Sequence, residues 1–196
     1  QLTNFLGFTQ NVNAAYTQFG QKINKFSYLM GLRMEKTHIE IDQKTANIYK
    51  EKDYTDWFPT LNLSFEFTEK ENITLGYSRR IRRPRSWSLN PFRSLTRLTF
   101  YRQGNPDLDP SYSNLFDLGY LKRWDKFTFN GSVYYQKATQ VIERITEATG
   151  ELVVVSEDPL IELPSFRFTS INLSENIRTG TEFTLTYSPK RRVRLS

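Results

Sequence analysis

Residues 60–78 read TLNLSFEFTEKENITLGYS. Leu61, Leu63, Phe65 and Phe67 alternate with Thr60, Asn62, Ser64 and Glu66. After the polar interval Glu69–Asn72, the residues Ile73, Leu75 and Tyr77 alternate with Thr74, Gly76 and Ser78. Successive side chains of a β-strand point to opposite faces, so this period of two predicts two strands, each with one apolar face, joined by a short turn. Such a hairpin needs something to cover its apolar face. A second sheet does this in a soluble sandwich, and lipid does it in an outer-membrane barrel.

The same alternation runs along most of the chain. Met30, Leu32 and Met34 oppose Gly31, Arg33 and Glu35, and Phe116, Leu118 and Tyr120 oppose Asp117 and Gly119. Phe127, Phe129, Val133 and Tyr135 oppose Thr128, Asn130, Ser132 and Tyr134, with Gly131 interrupting the apolar row. Phe183, Leu185 and Tyr187 oppose Glu182, Thr184 and Thr186. A weaker segment near the start sets Val12, Ala14 and Tyr16 against Asn13, Ala15 and Thr17.

Short polar turns are expected near Gly20–Lys25, Glu69–Asn72, Arg123–Lys126 and Ser188–Arg191. Long connections are expected over Asp42–Asp53, Pro84–Asp109 and Glu143–Ser170. Short turns at one end and long loops at the other are the asymmetry of outer-membrane barrels, and aromatic residues cluster beside the short turns as in an interfacial girdle. The fold class expected is therefore all-β: an antiparallel up-and-down transmembrane β-barrel of consecutive hairpins, without a parallel pair. The soluble sandwich stays open as the alternative, disfavoured because sandwiches do not keep their long loops at one end.

About seven or eight strands can be counted if one begins at Val193. The four residues from Val193 to Ser196 are too few to cross a bilayer. The expectation is an open segment of a larger barrel, occupying residues 1–196, whose first and last strands pair with strands outside this chain. A ladder between Val12–Thr17 and Val193–Leu195 would instead close a small barrel.

Composition narrows the function. Of 196 residues, 15 Phe, 11 Tyr and 3 Trp are aromatic, which excludes a disordered tail, because such a chain has surface to bury. Zero Cys excludes disulfides and thiolate metal sites. The net charge of +6 invites a nucleic-acid reading of Arg79, Arg80, Arg82, Arg83 and Arg85, but no helix-turn-helix, zinc or RNP-type pattern accompanies them. No nucleic-acid partner is expected. His38 is the only His and no Gly-x-Ser-x-Gly elbow is present, so no enzyme is expected. Asp107 and Asp109 could ligate Ca²⁺, yet their flanking prolines favour a turn, and neither metal nor cofactor is expected.

The stretch Tyr77-Ser-Arg-Arg-Ile-Arg-Arg-Pro-Arg-Ser-Trp-Ser-Leu-Asn-Pro-Phe92, with Gly104-Asn-Pro-Asp-Leu-Asp-Pro110 and Leu118-Gly-Tyr120, resembles the barrel of TonB-dependent outer-membrane receptors of the Bacteroidetes type. Asn11-Val-Asn-Ala-Ala-Tyr16, Trp57-Phe-Pro-Thr-Leu-Asn-Leu63, Ile171-Asn-Leu173 and Gly180-Thr-Glu-Phe183 match in the same order, with Asp117 standing where the family has Glu. The resemblance implies a bacterial outer-membrane location and import of a scarce nutrient such as a siderophore, glycan or peptide. It implies contact with outer-membrane lipid, a TonB partner reached through a plug domain that this chain does not contain, and room for a surface lipoprotein. The competing reading is a self-contained small barrel with a passive, structural or adhesive role.

Arg82-Arg83-Pro84 should end a strand, because Pro lacks the ladder donor and restricts the residue before it. Arg80 and Arg82 share parity with Thr74, Gly76 and Ser78, so they should face the lumen near its outer end. There they could bind an anionic ligand or, the plainer reading, balance Glu35, Glu66, Asp117 and Glu182. The candidate ligand residues at the lumen or outer rim are Arg80, Arg82, Arg85, Trp87, Asn90, Tyr101 and Arg102. Trp57, with Trp87 and Tyr101, is a weaker candidate as a glycan platform on a loop.

Overall fold

The computed structural model describes residues 3–188, so the strand expected from Val193 lies outside the described residues. β1 (Leu6–Ile23), β2 (Phe26–Gln43), β3 (Ile48–Thr68) and β4 (Glu71–Arg82) come first. A loop follows that carries the one-turn helix α1 (Ser86–Leu89) and the short strands β5 (Ser94–Arg97) and β6 (Phe100–Arg102). β7 (Ser111–Arg123), β8 (Phe127–Glu157) and β9 (Leu160–Tyr187) complete the chain. All nine strands join one sheet in the order β1-β2-β3-β4-β7-β8-β9-β6-β5. A single curled sheet with no second sheet among the described residues excludes the soluble sandwich.

The seven long strands form an antiparallel meander. One pairing contradicts the expectation: Phe100–Arg102 of β6 runs parallel to Phe166–Phe168 of β9. β6 reaches β9 sideways, from a loop folded over the rim rather than through a hairpin. The Phe100 ring stacks on Phe166 and Phe168, with centroids 5.0 and 5.5 Å apart.

The short turns near Gly20–Lys25, Glu69–Asn72 and Arg123–Lys126 fall where expected, while that of Ser188–Arg191 lies outside the described residues; Asn24 takes the left-handed backbone that a tight turn between β1 and β2 requires. Two of the three expected long loops are strand instead. Asp42–Asp53 contains only a short turn between β2 and β3, and Glu143–Ser170 is a continuous ribbon of β8 and β9 that turns at Asp158-Pro159. The Pro84–Asp109 connection is a true loop.

Directly paired residues of an antiparallel ladder share a face, so the register sorts every side chain. Leu63 pairs with Leu75, Leu75 with Leu118, and Leu118 with Val133, which makes one apolar row around the outside. Leu61, Phe65, Ile73, Phe116, Phe129, Phe183 and Leu185 lie on this same face. Asn62, Ser64, Thr74, Gly76, Asn130, Ser132 and Thr184 lie on the other, as expected. Phe183 is 79% exposed and Leu185 62%, far too open for a water-facing strand of Phe and Leu. No helix among the described residues is long and apolar enough to cross a membrane.

β1 corrects the weakest part of the sequence reading. Val12, Ala14 and Tyr16 pair with Thr37, Glu35 and Arg33, which places them on the lumen face. Thr17 and Phe19, opposite Leu32 and Met30, face outward instead. Small residues blur the alternation there, and Tyr16 carries a polar hydroxyl suited to a watery lumen.

β2 shows where hydrocarbon ends. From Phe26 to Met34 the outward residues are Phe26, Tyr28, Met30, Leu32 and Met34, and beyond Met34 they become Lys36, His38, Glu40 and Asp42. Apart from Leu29, the inward set inverts in step, from Ser27, Gly31, Arg33 and Glu35 to Thr37, Ile39 and Ile41, the last two buried. Above the lipid the outer face meets water, while the inner face meets the loop.

Among the described residues β1 does not pair with β9, and the sheet does not close. The ladder from Val193–Leu195 that would close a small barrel lies outside the described residues; the arc described is an open sheet.

Candidate functional site

Pro84 ends the β4 ladder, and the chain then folds back into the mouth of the sheet. Leu89 and Leu108 from this loop are each 1% exposed and cluster with Ile39 and Ile41 of β2, with Leu6, Phe8, Tyr54 and Ile142 packed around them. Polar ties fix both sides. Lys52 Nζ donates to the Leu108 carbonyl (2.7 Å) and pairs with Asp109, and Lys50 pairs with Asp107. On the other side, Asn105 Nδ2 donates to the Ser170 carbonyl (3.3 Å) and Asn172 Nδ2 to that of Asp109 (2.9 Å). Asp107 and Asp109 are thus lysine partners within a turn, with the Asp107 N–H donating to Asn105 Oδ1.

Gly104 permits the loop's tightest approach. A Cβ there would lie 2.6 Å from the Asn90 carbonyl oxygen and 2.7 Å from both Asn90 N and the Ser88 carbonyl oxygen. Those are backbone atoms with no room to yield. Gly104→Ala is expected to expel the 84–109 loop from the mouth while the barrel strands stay folded. Limited proteolysis should then cut within residues 90–104, with heat resistance of the barrel little changed; an uncut loop would refute the expectation.

The charge balance differs from the sequence reading. Arg83, not Arg80 or Arg82, takes the lumen carboxylate: its Nη2 donates to Glu35 Oε2 (2.5 Å) and to Thr37 Oγ1 (3.0 Å). Arg33 Nε donates to the other Glu35 oxygen at 2.6 Å. Burial is the strongest single influence on Arg83 and opposes its charge, but donation to Glu35, the negative charge of that carboxylate and the neighbouring Tyr54 hydroxyl together outweigh it and hold the guanidinium above its ordinary pKa. Arg80 and Arg82 are inward, opposite Ser113 and Ser111, and exposed. Neither takes part in an ion pair among the described residues. Outward Arg79 avoids lipid by lying at the upper end of β4, with its guanidinium 5.1 Å from the Tyr112 ring centre.

The remaining candidates divide by environment. Trp87 lies in α1 with the Arg102 guanidinium 4.3 Å and the Arg144 guanidinium 4.6 Å from its ring centre. Arg85 precedes the helix and is exposed, its carbonyl accepting from Ser88 N and Oγ. Asn90 is engaged inside the loop: its Oδ1 accepts from Phe92 N and its Nδ2 donates to Asn4. Tyr101 is 5% exposed beneath the Arg93 guanidinium, 3.8 Å from the ring centre. Trp57 is not a loop residue; it faces outward on β3 opposite Met34. His38 also faces outward, beside Asp53, far along the sequence from the arginine cluster.

Arg144 escaped the sequence reading because it fell in a stretch taken for loop. Its position in β8 opposite Ser170 points it into the mouth, with the parity of Ile142. Arg82, Arg85, Arg102 and Arg144 therefore gather around Trp87 on one side of the loop, lining two adjoining cavities. Such an arrangement can bind anions.

The profile of the outer membrane protein beta-barrel family matches residues 1–196. The chain belongs to that family. Its location is the bacterial outer membrane. Among curated proteins no match is found. The Serratia marcescens hemophore receptor HasR, solved as a double mutant with its hemophore HasA and heme, superposes with a TM-score of 0.72 at 14% identity, over 92% of this chain and 32% of its own. The copper transporter OprC gives 0.67 at 12% identity, over 93% and 27%. The ferric enterobactin receptor PfeA of Pseudomonas aeruginosa, as a mutant with enterobactin, gives 0.56 at 14%, over 91% and 33%. At these identities the likeness is one of fold, and it agrees with the resemblance to TonB-dependent receptor barrels. This member of the barrel family spans about a third or less of the length of those structures.

Proposed function

We propose that these strands form one arc of the barrel of a TonB-dependent receptor that imports a scarce nutrient across the outer membrane. In this reading β1 and β9 pair with strands outside residues 1–196. A plug domain elsewhere in the protein gates the conduit and contacts TonB, with a surface lipoprotein as a further partner. Arg80, Arg82, Arg85, Trp87 and Arg102 meet the incoming ligand at the outer mouth, joined by Arg144, while Asn90 and Tyr101 hold the loop that presents them. One observation carries the reading: a loop is folded into the lumen, and Arg82, Arg85, Arg102 and Arg144 around it take part in no ion pair among the described residues. A merely structural loop has no use for uncompensated charge.

HasR, PfeA and OprC handle heme, enterobactin and copper, so heme, ferric siderophores and copper are the first ligands to test. Cells expressing the full-length protein should accumulate one of these or a related nutrient, and a protonophore should stop the accumulation. Uptake that persists without an energised inner membrane would favour the passive barrel. The exposed tip of the β8–β9 ribbon, with Leu152, Val154, Leu160 and Leu163 open to solvent, is the observation on the side of an adhesive role.

A further inference from the structure

Two cavities meet at Trp87. One, of about 200 Å³, runs between Thr96, Arg102, Gly104 and Phe168. The other, of about 290 Å³, lies between Arg82, Arg85 and Ile142. Trp87, Ser88, Arg144 and Ser170 line both, so they form the boundary through which the chambers communicate. Neither lining includes an Asp or Glu. Arg83, which also lines the second cavity, is paired with Glu35, and around the loop Asp109 is paired with Lys52, Glu147 with Arg167 and Glu151 with Arg93. Glu143 has the opposite parity to Arg144.

The two chambers differ in chemistry. The first is walled by the Trp87 and Phe168 rings and by Thr96, and Phe168 is itself stacked on Phe100. The second is walled by guanidinium groups. Stacking on Trp87 restrains Arg102 and Arg144 while leaving their N–H edges free, and a planar guanidinium edge matches two oxygens of a phosphate, sulfate or carboxylate. Four cations so close together also repel one another, which a bound anion relieves.

Resting on the receptor reading above, we infer that this site takes an organic oxyanion: a charged head held by Arg82, Arg85 and Arg144, and an apolar, ring-sized body lodged beyond Trp87 against Phe168 and Thr96. The lumen parity of Arg82 and Arg144 means that the ligand arrives through the mouth and not from the bilayer. The head alone gives charge recognition, and the second chamber gives selectivity for anions that carry a body. Inorganic anions bind less tightly because they leave that chamber to water.

Calorimetric titration of the full-length protein in a nonionic detergent, with inorganic phosphate, phenyl phosphate and the neutral phenyl glucoside, separates these contributions. Phenyl phosphate is expected to bind about tenfold or more tighter than phosphate, and phenyl glucoside to give no measurable binding. Arg144→Gln should weaken both anions. Thr96→Phe, which fills the apolar chamber from an exposed position, should remove the advantage of phenyl phosphate over phosphate. Equal affinity for the two anions, binding of the glucoside as tight as that of phenyl phosphate, or unchanged binding in Arg144→Gln would each overturn the inference. Anion binding without energised uptake would leave this site standing and remove the receptor reading. Energised uptake without anion binding would do the reverse.

Discussion

Leu75→Arg is expected to destabilise the folded barrel by about 2–4 kcal/mol, the cost of placing a guanidinium on the lipid face near the bilayer midplane. Leu75 sits midway in the apolar row between Leu63 and Leu118, a few residues above the turn that opens β4. Thr74→Arg, one residue earlier and on the lumen face opposite Gly119, should cost much less, since its charge reaches water. Urea unfolding of the full-length protein in lipid vesicles measures both. Equal losses at the two positions would contradict the assignment of the faces, because only parity distinguishes them.

Glu35→Ala is expected to cost about 3–5 kcal/mol, because it leaves Arg83 buried without its carboxylate. Glu35 is 7% exposed and accepts from both Arg33 and Arg83, so water cannot readily replace it. The loss should appear as a lower unfolding midpoint and as earlier release of the loop after Pro84. Pairing Glu35→Ala with Arg83→Met should recover a large part of the loss, since the second change removes the stranded charge. Additive losses in the double variant would mean that the two groups do not act as a pair.

The membrane-crossing part was legible in the sequence because lipid imposes a strict rule: every second residue of Leu61–Phe65, Ile73–Tyr77 and Phe183–Tyr187 must be apolar. That rule stops at the bilayer surface. From Lys36 to Gln43 the alternation continues with its phase reversed, Ile39 and Ile41 pointing inward beneath Leu89 and Leu108, and the same water-facing outer surface runs on through Asp42–Asp53, so that the strand ends there read as a polar loop. The ribbon above Glu143 was misread for a related reason, since it meets water on its outer face and carries no lipid signature. β6 was illegible on other grounds. Three residues contain no periodic pattern, and their parallel pairing with Phe166–Phe168 is created by where the loop lands. Within the site, the inward parity of Arg80 and Arg82 could be read in advance. That Arg83 would take Glu35, and that Arg144 would stand beside Trp87, depends on the tuck of a loop whose path only tertiary contacts decide.

The tucked loop also bears on assembly. It is tied to β2 and β3 through Ile39, Ile41 and Lys52, and to β8 and β9 through Ile142, Ser170 and Asn172, so it spans the chord of the bent sheet like a tie-rod. Contacts such as Asn90 with Asn4, 86 residues apart in sequence, are closed within this chain and need no other part of the barrel. The curvature of the arc is therefore built in before any neighbour arrives. Strands joining at β1 or β9 meet an edge already bent toward the ring, and less chain entropy has to be lost in the final closure.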